Sequence, residues 1–368
     1  VGRVLWQLDV LVMAVRAQQR ELAERLTAWG MLGRLIVASV GVTAMLLAIL
    51  CHLGLSSHPL LILLVYVPLP LLVVPAVFAL WVSVFLPAWW RAAAGVSLAL
   101  VLTVVMGLVW GRADDGVGHV RLMTYNAKVY LAEGRPGGVE TLAMEVASHD
   151  ADIIVMQDAA DASMLRNSPN KALWDAMFGS REVYSAGQYI VASRYPLHHC
   201  RVGEIPYRDK THNFVRCEVQ AGERHFDLVD VHLVTPRQGL NALRHEGLAG
   251  LPAWQENVSD RTQQAVELAA ALRDRRLPLV LAGDLNAPER SEVVRILMSQ
   301  LGLRDAFSSA GFGYGYTHGH SLRLGLSFLR IDHILVSDEI GVASVDVGGA
   351  MGSEHRPVIA DLLLQRGR

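Results

Sequence analysis

Between Arg34 and Arg91 the chain carries no Asp, Glu, Lys or Arg for 56 residues, and a second uncharged run of 20 lies between Arg91 and Arg112. A stretch of this length constrains the fold more than any other feature. A bilayer span needs about 20 predominantly apolar residues, because in lipid the backbone polar groups must be satisfied inside a helix. Three spans are expected, near 35–54, near 59–86 with kinking prolines at Pro68, Pro70 and Pro75, and near 92–110. Trp81, Trp89, Trp90 and Trp110 suit the two interfaces. A buried helical hairpin, or a cleaved signal peptide for the first run, passes the same test but does not use the full uncharged length.

Basic residues set the expected orientation. Arg3, Arg16, Arg20, Arg25 and Arg34 precede the first span, the short loop near Ser56 carries none, and Arg91 lies in the next loop. Arginine marks the cytoplasmic side, so the chain beyond the third span is expected outside the cytoplasm, with the protein integral to a bacterial inner or cell membrane. The expected organisation is a cytoplasmic helical tail over 1–34, a three-span region over 35–111, a linker over 112–117 and one large domain over 118–368. Cys200 and Cys217 fall opposite each other if 197–205 and 211–220 form a hairpin turning at Arg208 and Asp209. They are either bridged or, as the preferred reading, two free buried thiols.

Within the large domain, short apolar runs end in polar residues and alternate with helical stretches. VRLMTYNAKVY, DIIVMQDA, YIVASRYPL, HFDLVDVHLV, PLVLAGDLNAP and LRIDHILVS read as strands. GGVETLAMEVASHD and SDRTQQAVELAAALRDRR have helical apolar spacing. The strands are too mixed with hairpins for a doubly wound parallel sheet. The expected fold is α/β (α+β): a four-layer α/β/β/α sandwich of two packed sheets, preceded by an all-α membrane region of three transmembrane helices.

The strand ends carry Asn126, Gln157, Asp158, Asp230, His232, Asp284, Asn286, Asp332, Glu354 and His355. Several carboxylates converging on the rim of a buried sheet would be costly without a cation, and an oxygen-rich set without thiolates suits Mg²⁺ or Mn²⁺ rather than zinc. His318, His320 and His333 are not read as a zinc cluster, and GYGYTHGHS (313–321) carries no sequence signal for binding. Gln157 is expected to pack or to bond backbone.

TYN (124–126), DIIVMQD (152–158), DVHL (230–233), GDLNAP (283–288), RIDHIL (330–335) and SEHRPV (353–358) together resemble, in order and spacing, the motif series of the endonuclease/exonuclease/phosphatase superfamily. The resemblance covers about 118–365 and implies a divalent-metal-dependent phosphoesterase that uses an activated water, which the three expected spans would anchor to a membrane. It implies a metal at Asp158, with Asn126 and Glu354 beside it directly or through water. Asp284 would position or deprotonate the water, while Asn286 and His232 would donate to the phosphoryl oxygen. His355 would neutralise the phosphate or act as base, with Asp332 holding its ring and favouring the imidazolium. Arg237, Arg330 and Arg356 are candidates for substrate phosphate contacts.

Two positions depart from the usual pattern: Asp158 stands where the superfamily has glutamate, and Glu354 where it has aspartate. Each change moves a carboxylate by about 1.5 Å, which would displace the metal toward Glu354. The competing expectation is a catalytically degenerate domain serving as a membrane-tethered binding module. Seven of the 33 basic and three of the 35 acidic residues precede residue 113, so the remainder carries 26 against 32, a net charge of −6. No basic footprint for duplex nucleic acid is visible. Phospholipid and nucleic acid both remain as expected substrates, and no protein partner is implied.

Overall fold

The structure, a computed structural model, describes residues 2–53, 59–132, 134–323 and 325–366. It divides into two compact units, Val1–Leu53 with Leu69–Gly107, and Gly54–Pro68 with Leu108–Arg368.

The first unit is helical. Helix α1 runs from Gly2 to Leu53, α2 from Val73 to Ser83 and α3 from Ala88 to Leu100. Val37, Ala79, Leu86 and Ala94 form their shared interior. Small residues let the helices approach: a Cβ on Gly33 would press on Val82, and one on Gly41 on Ser97. Two helical windows, Thr27–His52 and Ala88–Val105, are long and apolar enough to cross a membrane, and only 17% and 22% of them is buried. Such exposure does not suit the core helix of a soluble protein. Trp29, Trp81, Phe85 and Trp89 are among the large apolar side chains left outside.

The expected single span over 59–86 does not form. Its prolines divide it: a 3₁₀ turn at Leu63–Tyr66 ends at extended Val67 before Pro68, and a second at Leu69–Leu72 leads into α2. Pro75 is tolerated because it occupies the first turn of α2, where no intrahelical N–H bond is lost.

The first half of that run instead belongs to the large unit. Ile62 and Tyr66 are buried against Trp254. The Tyr66 ring meets Trp254 edge-on at 6.0 Å, the Arg261 guanidinium lies 5.6 Å from the Tyr66 ring centre, and the Tyr66 hydroxyl donates to the Asn286 carbonyl at 3.2 Å. The domain boundary expected at 111/112 is therefore moved to 107/108, and the segment 54–68 is added to the large unit.

The large unit contains two six-stranded sheets. The strands are β1 Gly116–Asn126, β2 Ile153–Gln157, β3 Glu182–Ala186, β4 Tyr189–Ser193, β5 Leu197–Tyr207 and β6 Lys210–Ala221. They continue with β7 Arg224–His232, β8 Leu279–Asp284, β9 Leu303–Asp305, β10 Asp332–Ser337, β11 Gly341–Val347 and β12 Val358–Arg366. One sheet has the order β11-β12-β1-β2-β4-β3, the other β9-β10-β8-β7-β6-β5. Each has one parallel pair, β1 with β2 and β7 with β8, among antiparallel neighbours.

Alternation along the strands builds three apolar layers. Leu122, Val155, Val191, Val215, Leu228, Val280 and Ile334 fill the space between the sheets. Met123, Tyr125, Ile154 and Met156 of β1 and β2 meet Leu142 and Val146 of helix α4 Gly138–Ser148, and Trp174 and Phe178 of α5 Lys171–Phe178. Helix α6 is Arg237–Glu246, and α7 Leu251–Leu272 and α8 Glu292–Leu301 cover the second sheet through Leu268, Leu272, Val294 and Leu297. This is the expected four-layer sandwich.

Strands β5 and β6 form the expected hairpin, with Tyr207 opposite Lys210. Cys200 and Cys217 are joined in a disulfide, so the preferred reading of two free thiols is corrected. A register shift between His198 and Arg201, with His199 at φ 53°, sets Cys200 beside its partner.

Candidate active site

The carboxyl ends of the parallel pairs carry the chemistry. Asn126 ends β1 opposite Gln157 of β2, and His232 ends β7 opposite Asp284 of β8. Asp284 also faces Asp332, the first residue of β10. The Ser353–Arg356 loop leads into β12, whose Val358 pairs with Thr124 of β1. Ser353 ties the loop to the first sheet by donating its hydroxyl to the Asn126 carbonyl at 2.7 Å.

Asp284 lies at the centre and is almost fully buried. One carboxylate oxygen accepts from Asn126 Nδ2 at 2.8 Å and the other from the Asn286 backbone N–H at 2.8 Å. His232 Nε2 stands 3.5 Å and His355 Nε2 3.7 Å from Asp284 Oδ2. His232 Nδ1 is 2.8 Å from Gln188 Oε1 and 3.7 Å from Asp158 Oδ1, which sets that ring between two aspartates. His355 Nδ1 is 2.9 Å from Asp332 Oδ2.

Burial pushes the Asp332 carboxyl up to about 6 and the His355 imidazole down to about 4. Loss of solvent around the fully buried ring thus opposes the imidazolium that Asp332 is expected to favour. The Nδ1–H tautomer of His355 donates to the Asp332 carboxylate.

The residues present fit a hard divalent cation. Asn126 Oδ1 is buried and has no hydrogen-bond partner, while the nitrogen of the same amide is engaged by Asp284. Asp158, at φ 50°, keeps a partly exposed carboxylate in the same cluster. An amide oxygen and a carboxylate are the donors that Mg²⁺ or Mn²⁺ takes. Ligand atoms of Asp284, Asp332 and His355 also lie within 4.8 Å of one another. That trio is less suited to an ion, since the Asp332 carboxylate holds His355 Nδ1 and both Asp284 oxygens already accept hydrogen bonds.

Other expected roles meet a different geometry. The Asn286 side-chain amide donates to the Leu233 carbonyl at 2.8 Å, and the Asn286 backbone carbonyl accepts from Arg261 and Tyr66. This braces the Asp284–Asn286 turn and commits one of the two N–H donors of the amide expected to meet the phosphoryl oxygen. Arg330 is buried, bonded to Asp305 at 2.6 Å and stacked on Phe307, and Arg356 spends its guanidinium on the carbonyls of Gly348, Tyr316 and Val347. Neither is free for a substrate phosphate. Arg237, on α6, is exposed at the rim, 3.9 Å from Glu354. Gln157 bonds side chains, not backbone, donating to Asp230 at 2.6 Å and to Thr124 at 3.2 Å.

Glu354 does not lie open to a metal. Lys128 Nζ is 2.7 Å from its Oε2 and Arg135 Nη2 is 3.6 Å from its Oε1, so the expected displacement of a metal toward Glu354 meets an ammonium instead. Lys128, Arg135, Gln188 and His318 are site residues that reading the sequence missed. Lys128 was legible in TYNAK, two residues beyond Asn126. His318 packs on His355 at 4.7 Å between ring centres and places Nδ1 3.0 Å from the Glu354 carbonyl. Burial, helped by His355, lowers its imidazole to about 4. Nothing local in GYGYTHGHS marked it.

A sandwich of two mixed sheets with an acid–imidazole–amide cluster across their carboxyl edges is a scaffold suited to hydrolysis. Residues 123–355 match the family described as endonuclease/exonuclease/phosphatase, and the chain belongs to that family. A family member from Bacteroides thetaiotaomicron has a similar structure, with 16% identity over 68% of this chain and 96% of that one and a TM-score of 0.50. The mannosyl-6-phosphatase of the same organism (17% identity, 66% and 99% coverage, TM-score 0.49) and the human Nocturnin catalytic domain with bound sulfate (16%, 68% and 95%, 0.47) are also similar. No curated protein matches the sequence.

Proposed function

We propose that the protein is a membrane-anchored, Mg²⁺- or Mn²⁺-dependent phosphoesterase that hydrolyses its substrate with an activated water. The observation that carries this reading is buried Asp284, held by two donors and flanked by His232 and His355, beside the unpartnered Asn126 Oδ1. Asp284 would take the proton of the attacking water, with Asn126 and Asn286 N–H fixing its orientation. His232, held by Gln188, would offer Nε2 to a phosphoryl oxygen, and His355 would accept or return a proton at Nε2. A cation held by Asp158 and Asn126 would supply charge neutralisation for the phosphoryl group.

The substrate is a phospholipid headgroup or a nucleic acid, with the net charge of −6 on residues 113–368 arguing against duplex nucleic acid. The purified full chain should turn over at least one of single-stranded DNA, duplex DNA, sphingomyelin or phosphoinositide with Mg²⁺ or Mn²⁺. Asp158→Ala should lose about 10³-fold or more. Undiminished rates in that variant, or rates unaffected by chelation, would remove the metal from the mechanism.

Membrane anchoring draws support from chain connectivity. Both spanning windows lead, at their carboxyl ends, into the unit made of 54–68 and 108–366. If both cross, the chain must return between them through 69–86. The 15 helical residues over 69–83 reach about 24 Å, short of a hydrocarbon core of about 30 Å, which local thinning accommodates. Three crossings with the arginine-bearing ends inside would leave the large unit outside the cytoplasm, a setting that suits the Cys200–Cys217 disulfide. Protease added to intact spheroplasts should digest the large unit, and full protection would reverse the assignment.

A further inference from the structure

The site is divided by charge. On one side stand Asp158, Asp284 and Asp332 with the Asn126 oxygen. On the other, a single carboxylate, Glu354, is approached by three cations: Lys128 at 2.7 Å, Arg135 at 3.6 Å and Arg237 at 3.9 Å. One negative charge against three positive leaves a surplus of about two, which attracts an anion and repels a divalent cation. Lys128 is the inner member of the three. Its side chain is 8% exposed, whereas that of Arg237 is 60% exposed.

We propose that Lys128 is a catalytic residue: its ammonium, oriented by Glu354, binds the phosphoryl oxygens of the substrate, and Glu354 positions that ammonium instead of ligating the metal. The inference rests on the phosphoesterase reading above and deepens it, confining the metal to the Asn126–Asp158 side.

Three further observations converge on this role. Lys128 adopts φ 43°, a left-handed conformation that a lysine rarely takes, so the turn after β1 holds it at some conformational cost. Glu354, which holds the ammonium, directly precedes His355, and its backbone carbonyl is 3.0 Å from His318 Nδ1, so Lys128 is tied to the loop that lines the site. The Glu354 carboxyl is held below its ordinary range, with burial opposing and Lys128, Arg135 and Arg237 together prevailing. A carboxylate kept ionised in this way can hold an ammonium while leaving its other N–H donors for a ligand. A lysine donates three hydrogen bonds, and Glu354 takes one.

The test uses the full chain with two probes, Mn²⁺ alone and inorganic phosphate. Wild-type protein should bind phosphate, more tightly with Mn²⁺ present. Lys128→Met should keep the Mn²⁺ Kd within about threefold, weaken phosphate at least about tenfold, and lower kcat/KM by about 10²-fold or more. Lys128→Arg should recover part of both losses. Glu354→Gln should leave Mn²⁺ binding within about threefold while loosening phosphate. Mn²⁺ affinity falling tenfold or more in Glu354→Gln, or phosphate binding unchanged in Lys128→Met, would overturn the proposal. So would failure of the wild-type protein to bind phosphate with or without Mn²⁺.

Failure of the phosphoesterase reading appears separately, as no turnover by wild-type protein or no loss of Mn²⁺ in Asp158→Ala. Phosphate binding to the metal-free protein then still reports on Lys128. Should Lys128→Met misfold, seen by thermal melting, Lys128→Arg and Glu354→Gln carry the decision.

Discussion

Replacing Asp284 with asparagine should lower kcat by about 10³-fold, the range expected when a general base or its charge is removed. The substitution keeps the shape of the side chain. It leaves an oxygen to accept from Asn126 Nδ2 or from the Asn286 N–H, but places an NH₂ group against one of those donors and removes the negative charge that faces His232 and His355. Asp284→Ala would open a hole under both imidazoles and confuse catalysis with packing, so asparagine is the more informative change. Mn²⁺ affinity should fall less than in Asp158→Ala, because both Asp284 oxygens are engaged by protein donors. The paired measurement is single-turnover rate against Mn²⁺ titration. A rate within tenfold of wild type would assign the base elsewhere, and loss of Mn²⁺ binding equal to that of Asp158→Ala would make Asp284 a ligand.

The largest stability effect is expected far from the chemistry, at Arg330. Arg330→Met leaves Asp305 buried beside His333 without its guanidinium, and removing one partner of a buried pair costs about 3–5 kcal/mol. For a unit of this size the melting temperature should fall by roughly 6–20 °C. The double variant Arg330→Met with Asp305→Leu should recover much of the loss, since the unpaired charge goes too. The same cluster has a pH signature. Burial raises the Asp305 carboxyl, but Arg330 and His333 outweigh it and hold it well below its ordinary 3.8. A carboxyl depressed on folding contributes stability above its unfolded value, and that contribution is lost as pH falls from about 4 toward the folded value. Melting of the wild type between pH 6 and 3 should therefore drop more steeply than that of Asp305→Asn. Parallel curves would show that this pair does not govern acid stability.

Much of the fold was legible locally. Strands β1, β2, β7, β8 and β10 each announced themselves as apolar runs ended by a polar residue. The register brings Asn126 level with Gln157 in one sheet and, in the other, Asp284 level with both His232 and Asp332, which opens β10. Periodicity was weaker for the run 59–86. Its apolar content concealed that Ile62 and Tyr66 pack on Trp254 of α7, because hydropathy does not distinguish burial in lipid from burial in protein. The arginines failed for a related reason: Arg330 and Arg356 carry the same charge as a phosphate-binding arginine, and only their partners show that they are structural.

What the sequence by itself determined is the set of polar residues at strand ends and the long uncharged run. Both follow from short-range rules of side-chain alternation and solvation that act within one element. Tertiary structure alone decided that Lys128 reaches Glu354, that His318 covers His355 and that Tyr66 meets the carbonyl of Asn286. It also decided that the His355 ring is buried, which disfavours its protonation. These depend on how two sheets and their loops close over one another, and contacts between distant parts of a chain leave no period in its sequence.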